Sequence, residues 1–240
     1  MANPASSNQS STSSSGQPAF SKMASEAIKH LKGARVVGLG SGSTVAHIVR
    51  EMARIKDKPS MKCIPTSTQI KIEAEKSGLE LADESHIPEI DVVFDGADQI
   101  DRRFNMIKGG GGALLREKIL ISAAKKVVIV ADESKFVNTL SRAVPIEVHP
   151  FARSLFPVEL KSHFKDASPS LRALEKGYPF VTENGNFVFD TSFGEIQEPS
   201  DLEQRAKSLP GVLEVGIFSR TPDLLLRLGM AGQLDVISTH

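Results

Sequence analysis

Three short stretches of the chain, ARVVGL (34–39), DVVF (91–94) and KVVIVA (126–131), are near-continuous runs of apolar, mostly β-branched residues. A strand with one wet face alternates apolar and polar side chains, whereas a run apolar throughout has to be covered on both faces. Between these runs lie segments with helical character at 22–32, 43–55, 69–76 and 113–124, and short strand signals at 61–65 and 79–82. Strands buried on both faces and alternating with helices specify an α/β fold, an open, doubly wound, mainly parallel sheet of Rossmann-like type. Ser43 or Thr44 is the expected cap of the second helix.

After Arg142 the rhythm changes. PIEVHP (145–150) reads as a strand, 151–164 as a helix, and 178–182 with 187–190 as a hairpin about Glu183-Asn184-Gly185-Asn186. A helix near 202–208 and the strand VLEVGIF (212–218) follow. Such an order predicts a smaller α+β second domain at about 141–216. The Rossmann-like domain then comprises 20–140 and about 217–240, with the apolar stretch 224–228 returning to the first sheet. Residues 1–19 are rich in Ser, Asn, Gln and Pro and hold no charged side chain, so a disordered tail is expected there.

The 29 basic and 29 acidic side chains cancel. Nucleic acid or an anionic membrane as main partner would favour a basic surplus, so neither is expected. No apolar run approaches the roughly 18 residues that span a bilayer. Cys63 is the only cysteine, which rules out an internal disulfide and suits a reducing compartment. A cytoplasmic location is expected, with organellar targeting by the Ser-rich tail left open.

Three loops carry chemistry. GLGSGST (38–44) joins the first buried strand to a helix, where bare amides, the helix dipole and the hydroxyls of Ser41, Ser43 and Thr44 suit an anion. It is neither a Walker loop, since no lysine follows, nor a dinucleotide fingerprint, since Ser43 stands where a glycine is required. A phosphomonoester fits better; a plain strand–helix turn is the alternative. DGADQID (95–101) follows the second buried strand and places Asp95 and Asp98 in the same crevice, at the carboxyl ends of the strands. Two close carboxylates hold their pKa values apart and suit proton shuttling; they could also bind Mg²⁺, although no further ligand set has metal spacing. Asp101 reads as a solvated turn residue.

The third loop is KGGGGALLREK (108–118). Four consecutive glycines, Gly109 to Gly112, let backbone approach a ligand closely, at an entropic cost rarely tolerated without a use; a flexible surface loop is the alternative. Lys108 at one edge, exposed amides and Glu117 in the following helix together can bind an oxyanion and move a proton. Lys135, in DESK (132–135) after the third buried strand, can lend charge to a phosphate. His47 and Glu51 share a helix face at i, i+4 spacing, which reads as an ordinary contact rather than a metal pair.

GLGSGST, DGADQ, KGGGGALLREK, DESK, ENGNFVFD and LPGVLEVGIF, in this order and spacing, resemble the type A ribose-5-phosphate isomerase family over about 21–218. The resemblance implies aldose–ketose isomerisation of a sugar phosphate through an enediolate, with no cofactor and no metal, by a homodimer or homotetramer. It implies Glu117 as catalytic base and Asp95, Asp98 and Lys108 as active-site residues. Ser41, Gly42, Ser43, Thr44, Gly109, Gly110, Gly111 and Lys135 would hold the substrate. Ser41 stands where the family has Thr, Gln99 where it has Glu, and the segment after Phe218 diverges. The alternatives are a non-catalytic sugar-phosphate sensor and an amino-sugar-phosphate deaminase or isomerase on a related scaffold.

Overall fold

The computed structural model describes residues 17–56, 60–83 and 89–239. The tail expected to be disordered therefore lies outside the described residues up to position 16, and 17–19 begin the first helix. In chain order come α1 (Gln17–Ala27), β1 (Val36–Leu39), α2 (Ser43–Ala53), β2 (Lys62–Pro65), α3 (Thr68–Lys76), β3 (Glu80–Leu81) and β4 (Ile90–Asp95). Then follow β5 (Gln99–Ile100), β6 (Met106–Ile107), α4 (Leu114–Ala123), β7 (Ala124–Asp132), β8 (Val144–Val148), α5 (Phe156–His163) and β9 (Ser168–Leu171). The chain ends with β10 (Phe187–Ser192), α6 (Pro199–Lys207), β11 (Val212–Val215), β12 (Ile217–Phe218), β13 (Leu224–Leu228) and β14 (Leu234–Ser238).

The central sheet has the order β14-β13-β7-β4-β1-β2-β3, parallel throughout except for the edge hairpin β13–β14. Its β-branched runs are buried on both faces, as their composition requires. Val37, Leu39, Val92, Phe94, Val128 and Val130 join the core under α1 and α2, while Val93, Val127 and Ile129 meet Leu120 and Ile121 of α4 on the other face. The alternation follows from the two-residue period of a strand. Strand order reverses direction between β1 and β4, the point at which open α/β sheets form a ligand crevice at the carboxyl ends. The loops after β1, β4 and β7 all open there. Among the described residues, no helix is long and apolar enough to cross a membrane.

A second, antiparallel sheet, β11-β8-β10-β9, packs on α5 and α6 through Val144, Ile146, Phe156, Leu160, Phe189 and Ala206. Sequence patterning did not resolve it fully. The stretch 178–182 forms only isolated bridges (Ala173 with Pro179, Val181 with Phe187), although the Thr182 N–H donates to the Asn186 carbonyl at 2.8 Å and closes the expected turn. VLEVGIF is broken at Gly216: its first half pairs with β8, its second with β6 in a small sheet β12-β6-β5. A β-carbon at Gly216 would lie 2.4 Å from the Lys108 carbonyl, so the close approach of these three segments requires glycine there.

Candidate active site

The first loop is drawn onto the sheet by its neighbours. The Gly40 N–H donates to the Phe94 carbonyl at 2.8 Å, and a β-carbon at Gly40 would lie 2.0 Å from Asp95 Oδ1. The Thr66 hydroxyl donates to the Leu39 carbonyl at 3.1 Å and pairs with Ser41 Oγ at 2.9 Å, while the Gly42 N–H donates to Gln69 Oε1 at 3.0 Å. Gly42, at φ 96°, is the residue that caps α2, and no side chain closes the helix end. The expectation of a Ser43 or Thr44 cap is thus corrected. Both residues fall inside the helix, because Gly42 alone adopts the left-handed turn that starts it. The first turn of α2 keeps its dipole and bare amides directed toward the crevice.

Beneath this loop lies a buried charge cluster. Lys108 Nζ stands 2.8 Å from Asp95 Oδ2 and 3.2 Å from Glu117 Oε2, and donates to the Gly96 carbonyl at 2.7 Å. All three side chains are at most 6 % exposed. Neither carboxylate oxygen facing Lys108 receives a well-directed hydrogen bond, so the contacts are ionic. Burial and then the charge of Glu117 push the Asp95 carboxyl up to about 7, against the opposing pull of Lys108. Burial opposes the charged form of Lys108, but Asp95 and Glu117 outweigh it and hold the ammonium above its usual range. The charge that adds to burial in lifting Asp95 is that of Glu117, not that of Asp98 as the sequence spacing suggests. Asp98 instead accepts the Gly110 N–H at 2.8 Å.

A pH effect follows from the raised Asp95 value. Its carboxyl titrates near 7 in the fold and near the ordinary 3.8 in the unfolded chain. Its stabilising contribution is complete below that lower value and is lost as pH rises through 7. The melting temperature of the wild type should therefore fall more between pH 5 and pH 8 than that of Asp95→Asn. Equal falls by calorimetry would refute the raised value.

Glu117 is placed by its helix. Its neighbour Lys118 turns the other way, 2.6 Å from Glu203 Oε1, 2.9 Å from Glu214 Oε1, and 2.7 and 2.8 Å from the carbonyls of Val215 and Ile217. This lattice fixes the rotation of α4 about its axis. Gly109 is held at φ 104° and Gly112 at φ 80°, where a β-carbon on Gly112 would lie 2.4 Å from the Phe180 ring. Gln99 accepts the Ser141 and Arg142 N–H groups at 2.8 and 2.9 Å, an acceptor role that a carboxylate would fill equally well. Asp101 is not a solvated turn residue. It is buried and accepts from the Arg103 and Asn105 amides and from Asn105 Nδ2, each at 2.8 Å, which pins the turn in which Phe104 takes φ 65°. His47 stacks on Phe20 at 5.5 Å and Glu51 pairs with Arg54.

One cavity of about 190 Å³ is lined by every residue that the sequence assigns to catalysis or substrate binding: Ser41, Gly42, Ser43, Thr44, Asp95, Asp98, Lys108, Gly109, Gly110, Gly111, Glu117 and Lys135, together with Gly96 and Ala97. Its size is below the roughly 300–1,000 Å³ of drug-sized sites and suits a small polar molecule. Lys135 is half-buried at the rim and makes no ion pair among the described residues. Thr66, Gln69 and Arg172 shape the loops and were not identified from sequence; isolated polar residues outside glycine-rich motifs carry no pattern that would single them out.

Residues 62–230 match the family model of ribose 5-phosphate isomerase A (phosphoriboisomerase A). Ribose-5-phosphate isomerase A of Methanosarcina acetivorans is 43 % identical over 194 residues, 80 % of this chain and 82 % of that protein. A D-ribose-5-phosphate isomerase solved in complex with phospho-erythronic acid superposes with a TM-score of 0.85 at 35 % identity, covering 92 % of this chain and 98 % of that one. Ribose 5-phosphate isomerase A of Methanocaldococcus jannaschii gives the same TM-score at 31 % identity, over 93 % and 100 % of the two chains. With the family model matched over residues 62–230 and relatives of this identity covered over most of their length, the chain belongs to the ribose 5-phosphate isomerase A family.

Proposed function

We propose that the protein interconverts D-ribose 5-phosphate and D-ribulose 5-phosphate through an enediolate. The observation that carries this reading is the burial of Lys108 between Asp95 and Glu117 in a cavity that is also lined by the start of α2, which no side chain caps. Glu117 removes the proton from C2 of the open-chain aldose; the C–H electrons form the C1–C2 double bond, and O1 becomes an oxyanion. Lys108 and the free amides of the glycine loop stabilise that charge. Glu117 then returns the proton to C1, while the hydroxyl proton of O2 passes to O1 and leaves a ketone at C2. Asp95, titrating near 7, can both give and accept at that step. Ser43, Thr44, the first amides of α2 and Lys135 hold the phosphate, whose binding energy positions the reacting carbons.

Ribose 5-phosphate should give ribulose 5-phosphate in a coupled assay, with solvent deuterium incorporated at the exchanging carbon. Binding of the sugar phosphate without turnover would reject the isomerase and leave a sensor. Within this scheme the first loop serves only the phosphate. Ser43→Ala with Thr44→Ala should raise KM for ribose 5-phosphate by roughly tenfold or more, as expected when about 1.5–3 kcal/mol of charge-assisted hydrogen bonding is lost, with kcat little changed. A matching loss for unphosphorylated ribose would point instead to damage at the start of α2.

A further inference from the structure

The amides of the glycine loop do not all face the cavity unoccupied. The Gly110 N–H is taken by Asp98 Oδ2 at 2.8 Å, and the Gly112 N–H by the Gly109 carbonyl at 3.0 Å. Among the described residues the Gly111 N–H has no partner. Its direction is set from outside the loop. Arg172, just beyond β9 in the antiparallel sheet, donates from Nη1 to the Gly109 carbonyl at 2.9 Å and to the Gly110 carbonyl at 3.1 Å.

A trans peptide unit points its C=O and N–H in opposite directions, and the described chain has no cis bonds. Both carbonyls converge on one nitrogen, so both following N–H groups point away from Arg172. The first of these lands on Asp98, a wall of the cavity. The second, that of Gly111, also points away from Arg172, has no hydrogen-bond partner among the described residues, and belongs to a residue that lines the same cavity.

Arg172 is itself held firmly. Its Nε and Nη2 bind Asp190 at 2.9 and 2.5 Å, its backbone donates to the Val188 carbonyl and accepts from the Phe180 N–H, and its guanidinium lies 5.5 Å from the centre of the Phe180 ring. That ring in turn packs on Gly112. A guanidinium offers five donors in a rigid fork, which is what two carbonyls and one carboxylate together demand. Cation-bound carbonyls also polarise their peptide units, which strengthens the N–H as a donor.

We propose that Arg172 is a positioning residue for the isomerisation: by gripping the Gly109 and Gly110 carbonyls it aims the Gly111 N–H at the enediolate oxygen and ties the antiparallel sheet to the reaction. The inference rests on the isomerase reading above. Lysine cannot reproduce the fork, so Arg172→Lys should lower kcat by roughly 10–100-fold, between a misaimed and a missing oxyanion donor, with KM for ribose 5-phosphate changed less than about threefold. Inhibition by phospho-erythronic acid, whose carboxylate resembles the enediolate, should weaken in parallel with kcat. Inhibition by inorganic phosphate should not change. Asp190→Asn, which leaves Arg172 in place but loosens its anchor, should show the same split to a smaller degree. Wild-type kcat in both variants beside an active parent overturns the inference alone, as does equal weakening of both inhibitors. A parent without turnover overturns the isomerase reading and this inference with it.

Discussion

Glu117→Gln should fold normally and lose roughly 10²–10⁴-fold in kcat, the scale of a positioned acid–base group. Glutamine has nearly the same shape, so the buried space beside Lys108 stays filled, and Lys108 keeps its partner Asp95 at 2.8 Å. No charge is stranded, which is why stability should hold while proton transfer fails. A second consequence separates this from nonspecific damage. The charge of Glu117 is one of the causes that raise Asp95, so its removal should bring the Asp95 carboxyl down from about 7. Solvent-deuterium exchange into the substrate should fall together with turnover. Exchange at the wild-type rate in a soluble Glu117→Gln protein would show that another group abstracts the proton.

The sheet could be read from the sequence because its strands are covered on both faces. DVVF and KVVIVA have no polar side to hide, and a doubly buried run admits few alternatives. The antiparallel sheet was harder. In β9 (SPSL), alternate residues are exposed and two of four are serine, so nothing in its composition marks a strand. β14 is an edge strand with mixed burial, and pairing with β13, not local propensity, creates it. The site residues were legible for a different reason. Glycine runs and carboxylates after buried strands are costly unless used, and β1, β4 and β7 carry them to a single crevice. What the sequence could not reveal is which carboxylate meets which charge. Asp95 and Asp98 are three apart in the chain, yet the charge that adds to burial in raising Asp95 is that of Glu117, twenty-two positions on, because both carboxylates meet Lys108 in the fold. Arg172 was invisible for the same reason: its partners lie sixty-two and sixty-three residues earlier, on the other sheet's loop.

Lys108→Met should cause a loss of comparable size by a different route. Methionine keeps the unbranched bulk that packs near Phe218, where Lys108 Nζ lies 5.4 Å from the ring centre, but it removes the ammonium that touches both Asp95 and Glu117. Loss of one donor to a developing oxyanion costs about 3–4 kcal/mol, so kcat should fall roughly 10²–10³-fold with KM little altered. Stability should fall as well. Two buried carboxylates, now without a counter-charge, cannot both ionise, so one retains its proton at neutral pH. A retained proton means a raised carboxyl pKa in the fold, and stability that is present in acid and lost as pH rises. The melting temperature of Lys108→Met should therefore approach that of the wild type at pH 5 and fall well below it at pH 8. Combining Lys108→Met with Asp95→Asn leaves a single carboxylate and should flatten that fall without restoring kcat. If Lys108→Met raised only KM, Lys108 would be a ground-state binding group. The enediolate charge would then have to be carried by the Gly111 N–H that Arg172 aims.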